Sequence, residues 1–402
     1  MNKKNLSSFL KLGYFLDYKN KDISINVSNI DKQKYQDIEE YELIKIGSKL
    51  WKESICSNFD TNQKHLVPIS GGLDSRAILS ALLEHTEAKN IYTYTFGTPN
   101  TLDYDVGNYV SKKLGTKHTS FDLTQYNFNQ KELEDISKRV NFQTILFHHA
   151  SVWQVDKKFE GCQNWCGFMG DPLSGSKLSK EPSLSLEVAK KQFMRKNTYV
   201  SSIDLTNGLN FEGLVEADLI DKSLLTLDEQ LDFQNRQVKY IAPHVLMQGY
   251  EYKIPFLYQP WVDFMLSVPN SFRTDQLLYK KILLHSFPKE FSYKTKTNYG
   301  LPLGASKNAI FAKRVVDKLL RMIKLSSGKG INYLDFNEKI RTKQDLRKVI
   351  TSNVIDLKDR DIIEWRNIEE ILNNHLTNKG NYADALIVLA SLEIHLKNGL
   401  KI

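Results

Sequence analysis

The pattern of hydrophobic and polar positions changes at about residue 60. Before it the sequence is polar and mixed, with an apolar patch at 8–18 and an amphipathic helical pattern at 41–58. After it, short apolar runs alternate with helical patterns, in the order strand 65–69, helix 74–87, strand 91–96, helix 104–114 and strand 116–123. Strands and helices that alternate at this spacing predict a parallel sheet with crossover helices, and therefore an α/β fold.

The remainder of the chain continues this pattern and then becomes helical. A helix is predicted over 129–139 and a further strand-like run over 163–169, and from about residue 180 the pattern is mostly helical. For 402 residues, more than one structural part is expected. We therefore expect a lead-in segment over 1–60 and one domain over 61–402. That domain divides into a sheet part at 61–180 and a helical part at 181–402.

Charge, cysteines and hydropathy narrow the class of protein. The formal net charge is +8 and the isoelectric point is about 9.0, which suits anionic small substrates such as nucleotides and also RNA. Three cysteines, Cys56, Cys162 and Cys166, form neither a disulfide framework nor a zinc motif. Neither a secretory signal nor an apolar run of membrane-spanning length is visible. A cytoplasmic protein without membrane partners is expected.

The segment Ser70-Gly71-Gly72-Leu73-Asp74-Ser75 joins a predicted strand to a predicted helix. A helix N-terminus offers backbone N–H donors and a positive dipole end to a phosphate, and adjacent glycines let the backbone approach its oxygens. Asp74 suits such a site only with Mg²⁺ between carboxylate and phosphate. The alternative is a tight turn with a capped helix, but the whole hexapeptide in this setting favours phosphate binding. It is neither a Walker A loop nor a Rossmann fingerprint.

The hexapeptide resembles the pyrophosphate loop (PP-loop) of the N-type ATP pyrophosphatases. Its wider setting resembles the synthetase domain of the asparagine synthetase family, which includes β-lactam synthetases and lasso-peptide cyclases. The similar segments are 94–97, 113–118, 167–175, 249–257, 294–302 and 381–396. The resemblance implies an adenine nucleotide alpha hydrolase-like (HUP-type) fold, with cleavage of ATP to AMP and pyrophosphate, an acyl-adenylate and then an amide.

The resemblance also implies roles for individual residues. It places ATP and its pyrophosphate on Ser70, Gly71, Gly72, Asp74, Ser75, Phe96, Gly97, Gly167 and Gly170. Asp74 and Asp171 are implied to be the Mg²⁺ ligands. Lys296 and Lys253 are implied to be catalytic, with Lys296 steadying the leaving pyrophosphate. Two carboxylates and a lysine are suitable groups for the negative charge that develops when the α–β bond breaks.

Several positions depart from the family pattern. Phe168 and Pro172 stand where the second loop usually carries acidic residues, Tyr258 replaces an aspartate, and Lys253 replaces an arginine. These departures argue for an amide product other than asparagine. The family's N-terminal glutaminase domain, with a cysteine directly after the initiator, is not expected, because Asn2 occupies that position and about 60 residues precede the loop.

The expected function is an ATP-dependent, AMP-forming amide ligase or amidotransferase. The expected acyl donor is a carboxylated small molecule, a sugar acid or a peptide, and the nitrogen comes from ammonia, an amine or a separate glutaminase. Polysaccharide or natural-product biosynthesis is the expected setting. Two alternatives stay open. One is an RNA-modifying PP-loop enzyme that adenylates a base, although nucleic acid is the less expected partner. The other is a non-catalytic asparagine synthetase-like partner protein.

Overall fold

The computed structural model describes residues 2–20, 22–149, 159–322 and 333–401. The strands are β1 His65–Pro68, β2 Ile91–Gly97, β3 Lys117–Asp122, β4 Gln163–Trp165 and β5 Tyr252–Lys253. The helices up to residue 246 are α1 Lys3–Leu12, α2 Glu40–Cys56, α3 Asp74–Leu82, α4 Leu102–Leu114, α5 Gln130–Arg139, α6 Gly170–Leu173, α7 Leu186–Asn197, α8 Leu227–Leu231, a π-helix Asp232–Ile241 and α9 Ala242–Leu246. The later helices are α10 Gln259–Ser267, α11 Asn270–Arg273, α12 Leu277–Ser286, α13 Pro288–Phe291, α14 Lys307–Met322, α15 Phe336–Thr342, α16 Gln344–Asp359, α17 Ile368–Leu376 and α18 Ala383–Lys397. Short 3₁₀ turns lie at Ala88–Asn90, Phe147–His149, Glu212–Leu214, Pro255–Leu257 and Thr274–Gln276.

The five strands form one parallel sheet in the order β3-β2-β1-β4-β5. Pro68, an awkward residue for a central strand, is the last residue of β1 and lies opposite Tyr94. The ladder continues past it, because the Ile69 N–H donates to the Tyr94 carbonyl at 2.8 Å. The sheet with its flanking helices confirms the predicted α/β, HUP-like fold, and the helical C-terminal part is confirmed with it.

Alternating side chains of β1 face different hydrophobic clusters. Val67 is buried in a large cluster with α2, α3, α10 and α12, whereas Leu66 joins a small cluster with Tyr94 and Phe159 on the other face. Trp51 of α2 and Trp261 of α10 lie in the large cluster, with ring centroids 5.3 Å apart. Burial on both faces explains why β1 reads as a continuous apolar run.

A second large core joins the helices of the C-terminal part to the first helix of the chain. It contains residues of α1, α5 and α15 to α18. Phe9 of α1 meets the ring of His395 of α18 edge-on at 5.7 Å. Asn2 caps α1 by accepting from Lys4 N–H, and Gly13 ends the helix in the left-handed conformation, at φ 80°. The segment before residue 60 thus contributes α1 to one core and α2 to the other; the proposed domain boundaries stay predictions.

Two predicted elements end earlier than expected. Helix 74–87 ends at Leu82, and the strand-like run 163–169 is a strand only as far as Trp165. The chain then turns through Met169, whose φ is 69°, a left-handed value that a strand cannot contain. The missing part of the strand is therefore a loop that leads into α6. The π-helix Asp232–Ile241 has no counterpart in the sequence-based prediction, which expected only helical structure there.

Among the described residues, no helix is both long enough and apolar enough to span a bilayer.

Candidate functional site

The strand order creates a crevice between β1 and β4. From β1 the chain moves to β2 and β3 on one side of the sheet, and later returns to β4 on the other side. In open parallel sheets, ligands bind at the carboxyl ends of the strands where the order reverses. The hexapeptide 70–75 follows β1 at this point, and the loop 166–169 follows β4. Local sequence and topology therefore bring the two loops together.

A cavity of about 710 Å³, here called the loop cavity, lies against these two loops. Its lining includes Ser70, Gly72, Asp74, Ser75, Asp103, Gly167, Asp171, Lys177, Gln276 and Lys296. Predicted site residues separated by more than 200 positions in sequence thus face one space.

The hexapeptide is closed by its own hydroxyl groups. Ser70 N–H donates to Ser75 Oγ at 3.3 Å, and Gly72 N–H donates to Ser70 Oγ at 3.1 Å. A Cβ on Gly71 would lie 2.8 Å from Cβ of Lys296, so only glycine fits there. The Gly71 carbonyl accepts from Lys296 N–H at 2.8 Å. The loop and the lysine segment are therefore one packed unit.

Asp74, the first residue of α3, lies against the second loop. A Cβ on Gly170 would fall 2.3 Å from Cγ of Asp74, so the absence of a side chain there makes room for the carboxylate. The Tyr279 hydroxyl donates to Oδ1 of Asp74 at 3.0 Å. Burial and the negative charge of Asp171 raise the pKa of Asp74 well above its usual range. The structure therefore brings Asp74 and Asp171 within electrostatic range of each other.

Asp171 lies on α6 and is held by Gln276, a residue that the sequence analysis missed. Gln276 Nε2 donates to Oδ1 of Asp171 at 3.0 Å and to Oγ of Ser174 at 2.7 Å. The sequence around Gln276 offers no motif that would have indicated this contact.

The two carboxylates form a suitable site for Mg²⁺. No cationic side chain of the described residues forms an ion pair with Asp74 or Asp171, and their like charges face each other. A divalent ion with carboxylate and phosphate oxygens would relieve this repulsion. Within the described ranges, no group of three or more His, Cys, Asp or Glu side chains could form a metal site. The protein's own ligands would therefore be these two carboxylates.

Lys296 reaches the cavity from a tight segment that Arg76 fixes to α3. Lys296 forms an ion pair with Asp103 of α4. Arg76 is fully buried, and its guanidinium donates to the carbonyls of Lys294 at 2.6 Å, Tyr293 at 3.4 Å and Glu290 at 3.5 Å. Burial lowers the pKa of Arg76 only to about 10, so it stays a cation at neutral pH. Its position directly after the hexapeptide was the only signal for this role.

Backbone strain is concentrated around the same cavity. Met169, Gln276 and Tyr299 have φ values of 69°, 58° and 56°, although none is glycine. Left-handed conformations at non-glycine residues are uncommon and often mark functional sites. Each of the three lies beside a predicted site residue or contacts one.

Five predicted site residues are not part of the lining of the loop cavity: Gly71, Gly170, Phe96, Gly97 and Lys253. Gly71 and Gly170 lie directly behind it, packed against Lys296 and Asp74. Phe96 and Gly97 end β2, one strand away, with Phe96 packed edge-on against Tyr333 at 5.6 Å. Lys253 lines a separate cavity of about 570 Å³, which also contains Asp60 and Glu251. Lys253 lines that cavity and not the loop cavity, so its catalytic role stays a prediction.

The departures from the family pattern have a structural basis. Phe168 is 4% exposed and packs in the large cluster of the sheet, and Pro172 is buried within α6. Both positions are therefore buried and carry no charge. Tyr258 precedes α10, where Pro260 occupies the first turn.

A loop at the switch point of a parallel sheet is where α/β proteins of this architecture bind ligands such as nucleotides. Residues 51–144 match the family model described as asparagine synthase. The match covers β1 to β3, the hexapeptide and the Asp103 side of the cavity, and it confirms the predicted resemblance to an asparagine synthetase-like synthetase domain. Members of that family are ATP-dependent amide-forming ligases. No curated protein matched the chain.

Proposed function

We propose that this protein adenylates a substrate carboxylate with ATP and couples it to ammonia or an amine. The observation that carries the proposal is the meeting of Asp74, Asp171 and Lys296 around one cavity at the carboxyl ends of β1 and β4. Two carboxylates and a lysine at a phosphate-type loop suit transfer of a nucleotidyl group rather than hydride or acyl-enzyme chemistry.

The proposed reaction has two steps. A carboxylate oxygen of the donor attacks the α-phosphorus of ATP, the bond from this phosphorus to the bridging oxygen breaks, and pyrophosphate leaves. The nitrogen of ammonia or an amine then attacks the carbonyl carbon, the bond to AMP breaks, and the nitrogen loses a proton. Products are an amide, AMP and pyrophosphate.

Different residues of the loop cavity have different roles in this proposed reaction. The serine hydroxyls and glycine backbone of 70–75 bind the β- and γ-phosphates at the start of α3. Asp74 and Asp171 would hold Mg²⁺, which supplies positive charge to the phosphate oxygens. Lys296, once released from Asp103, neutralises the leaving pyrophosphate. Lys253 has no role in this proposed reaction, because it lines another cavity. Phe96 and Gly97 have no role in it either.

Pyrophosphate release is the test. The protein is incubated with ATP, Mg²⁺, ammonia and a panel of carboxylates that includes sugar acids and a peptide. Release of AMP and pyrophosphate is expected with at least one donor and is lost in Asp74→Ala. The control is Asp37→Ala, an exposed aspartate outside the cavity, which should behave like the unaltered protein. Release of ADP and phosphate would contradict the proposal.

A further inference from the structure

A second cavity, here called the helical cavity, adjoins the loop cavity. It has a volume of about 310 Å³ and is formed by α7, α8 and the π-helix. Its lining residues are Lys177, Phe193, Lys196, Asn197, Asp228, Asp232 and Arg236. Lys177 lines both cavities, so the two spaces meet at this side chain.

Three cations surround the helical cavity without ion-pair partners. Within residues 2–20, 22–149, 159–322 and 333–401, no carboxylate forms an ion pair with Lys177, Lys196 or Arg236. Like charges around one concave surface repel each other and focus a positive potential into the space between them. An anion in the cavity relieves that repulsion.

The two carboxylates of the cavity already have hydrogen-bond donors. Asp228 accepts from Ser183 N–H at 2.8 Å and from Ser183 Oγ at 3.0 Å. Asp232 accepts from Gln237 Nε2 at 2.8 Å, and it is 9% exposed. Burial raises the pKa of Asp232, against the opposing effect of Arg236 and Lys177. The carboxylates therefore offset the three cations only in part.

The backbone that carries Arg236 is unusual. Asp232–Ile241 is a ten-residue π-helix, and π segments are rare and occur frequently at functional sites. The hydrogen bond from Gln237 to Asp232 joins residues five apart, the spacing that brings successive π turns together. This hydrogen bond fixes Asp232 to its own helix, and Arg236 of the same helix lines the cavity.

We propose that the helical cavity binds a second anionic group of the carboxylate donor, remote from the carboxylate that reacts in the loop cavity. The donor is then a small acid with two anionic groups, either a dicarboxylate or an acid that also carries a phosphate, and either is called a dianion below for its two anionic groups. Its identity as the donor rests on the proposed function, whereas anion binding by the cavity does not.

The test is calorimetric binding of three probes, glutarate, 3-phosphopropionate and butyrate. Butyrate is the matched monoanion, since it lacks the second charge. At least one dianion should bind the unaltered protein tenfold or more tightly than butyrate, and whichever binds better identifies the preferred anionic group. In Lys196→Gln/Arg236→Gln that advantage should fall to less than threefold. Arg195→Gln, which removes the exposed neighbouring charge on α7, should retain it.

Each outcome has a definite meaning. Equal binding of dianions and butyrate, no binding to the unaltered protein, or full dianion binding by the double variant overturns the proposal. Arg236→Lys, which retains the charge, and the thermal midpoint of every variant distinguish a lost site from a lost fold. ATP titration and pyrophosphate release are measured in parallel. The protein could bind dianions through Arg236 and yet release no pyrophosphate. That result would support the anion site and contradict only the proposed function.

Discussion

The loop cavity and the helical cavity share Lys177, yet they are built in different ways. In the loop cavity the charged side chains have partners from other elements: Asp103 for Lys296, Tyr279 for Asp74 and Gln276 for Asp171. In the helical cavity the cations have no ion-pair partners among the described residues. Fixed groups suit a reaction whose charges must be stabilised at defined positions, whereas cations that form no ion pair suit the capture of a soluble anion.

One buried ion pair joins the two regions. Arg273 Nη2 and Glu229 Oε1 are 2.6 Å apart, and both side chains are almost completely buried. Arg273 also donates to the carbonyl of Leu173, at the end of α6, while Glu229 belongs to α8. The helix that carries Asp171 is therefore tied to the helix that carries Asp228. A substitution that disturbs one cavity should therefore also alter binding or activity in the other.

The largest expected effect is on Lys296. In Lys296→Ala, pyrophosphate release should fall by about 10³-fold, or about 4 kcal/mol, as for other preorganised groups that stabilise developing negative charge. Lys294→Ala is the matched control, because that side chain is exposed and belongs to the same segment. The assay is initial-rate pyrophosphate release at saturating ATP. Equal losses in both variants would show that Lys296 has no special part.

Glu229→Gln tests the connection between the regions. Removing one charge of a buried pair leaves the other uncompensated, so the free energy of unfolding should fall by about 3 kcal/mol. Urea denaturation measures it, and Glu181→Gln, at an exposed glutamate, is the control. In the same variant, both pyrophosphate release and dianion binding should weaken. An effect confined to one cavity would break the proposed connection.

Arg76→Ala tests whether the loop cavity depends on its rigidity. Three carbonyls of the lysine segment lose their donor, so we expect a loss of about 2 kcal/mol of stability and a lower kcat. Binding of ATP should change less, because the hexapeptide keeps its internal hydrogen bonds. Arg76→Lys should restore part of kcat. If stability falls while kcat is unchanged, Arg76 stabilises the fold and has no effect on catalysis.

The smallest effect is expected at Lys177, which lines both cavities. As an exposed cation it should contribute about 1 kcal/mol, so Lys177→Gln should raise KM for the carboxylate donor about fivefold. KM for ATP should stay within twofold. Lys190 of α7, which lines neither cavity, supplies the control variant, Lys190→Gln. A larger effect on ATP than on the donor would assign Lys177 to the loop cavity alone.

Sequence reasoning located the loop cavity because its parts are local motifs. The hexapeptide combines a strand end, two glycines and a helix start within six residues, and Asp171 and Lys296 follow from segments that resemble the family. Contacts such as Arg76 to Lys294 or Tyr279 to Asp74 join residues about 200 positions apart, and no local pattern encodes them. The role of Lys253 stays a prediction, since its segment resembles the family pattern and the residue lines a different cavity.

The helical cavity had no such signal. Lys177, Lys196 and Arg236 stand on a loop and two helices, at spacings that match no motif. Their side chains share a space only because α7, α8 and the π-helix pack together. The sequence pattern did not predict the π-helix, because its residues are equally compatible with an ordinary amphipathic α-helix.

The packing of α1 against α18 has a consequence for synthesis. Leu6, Phe9 and Leu10 complete their burial only when Ala383–Lys397 has been made. At a translation rate of roughly 5–20 residues per second, some tens of seconds pass between the synthesis of α1 and the synthesis of α18. Helix α1 is made long before α18 and completes its packing only afterwards, so in the meantime the nascent chain exposes an apolar stripe to which chaperones can bind.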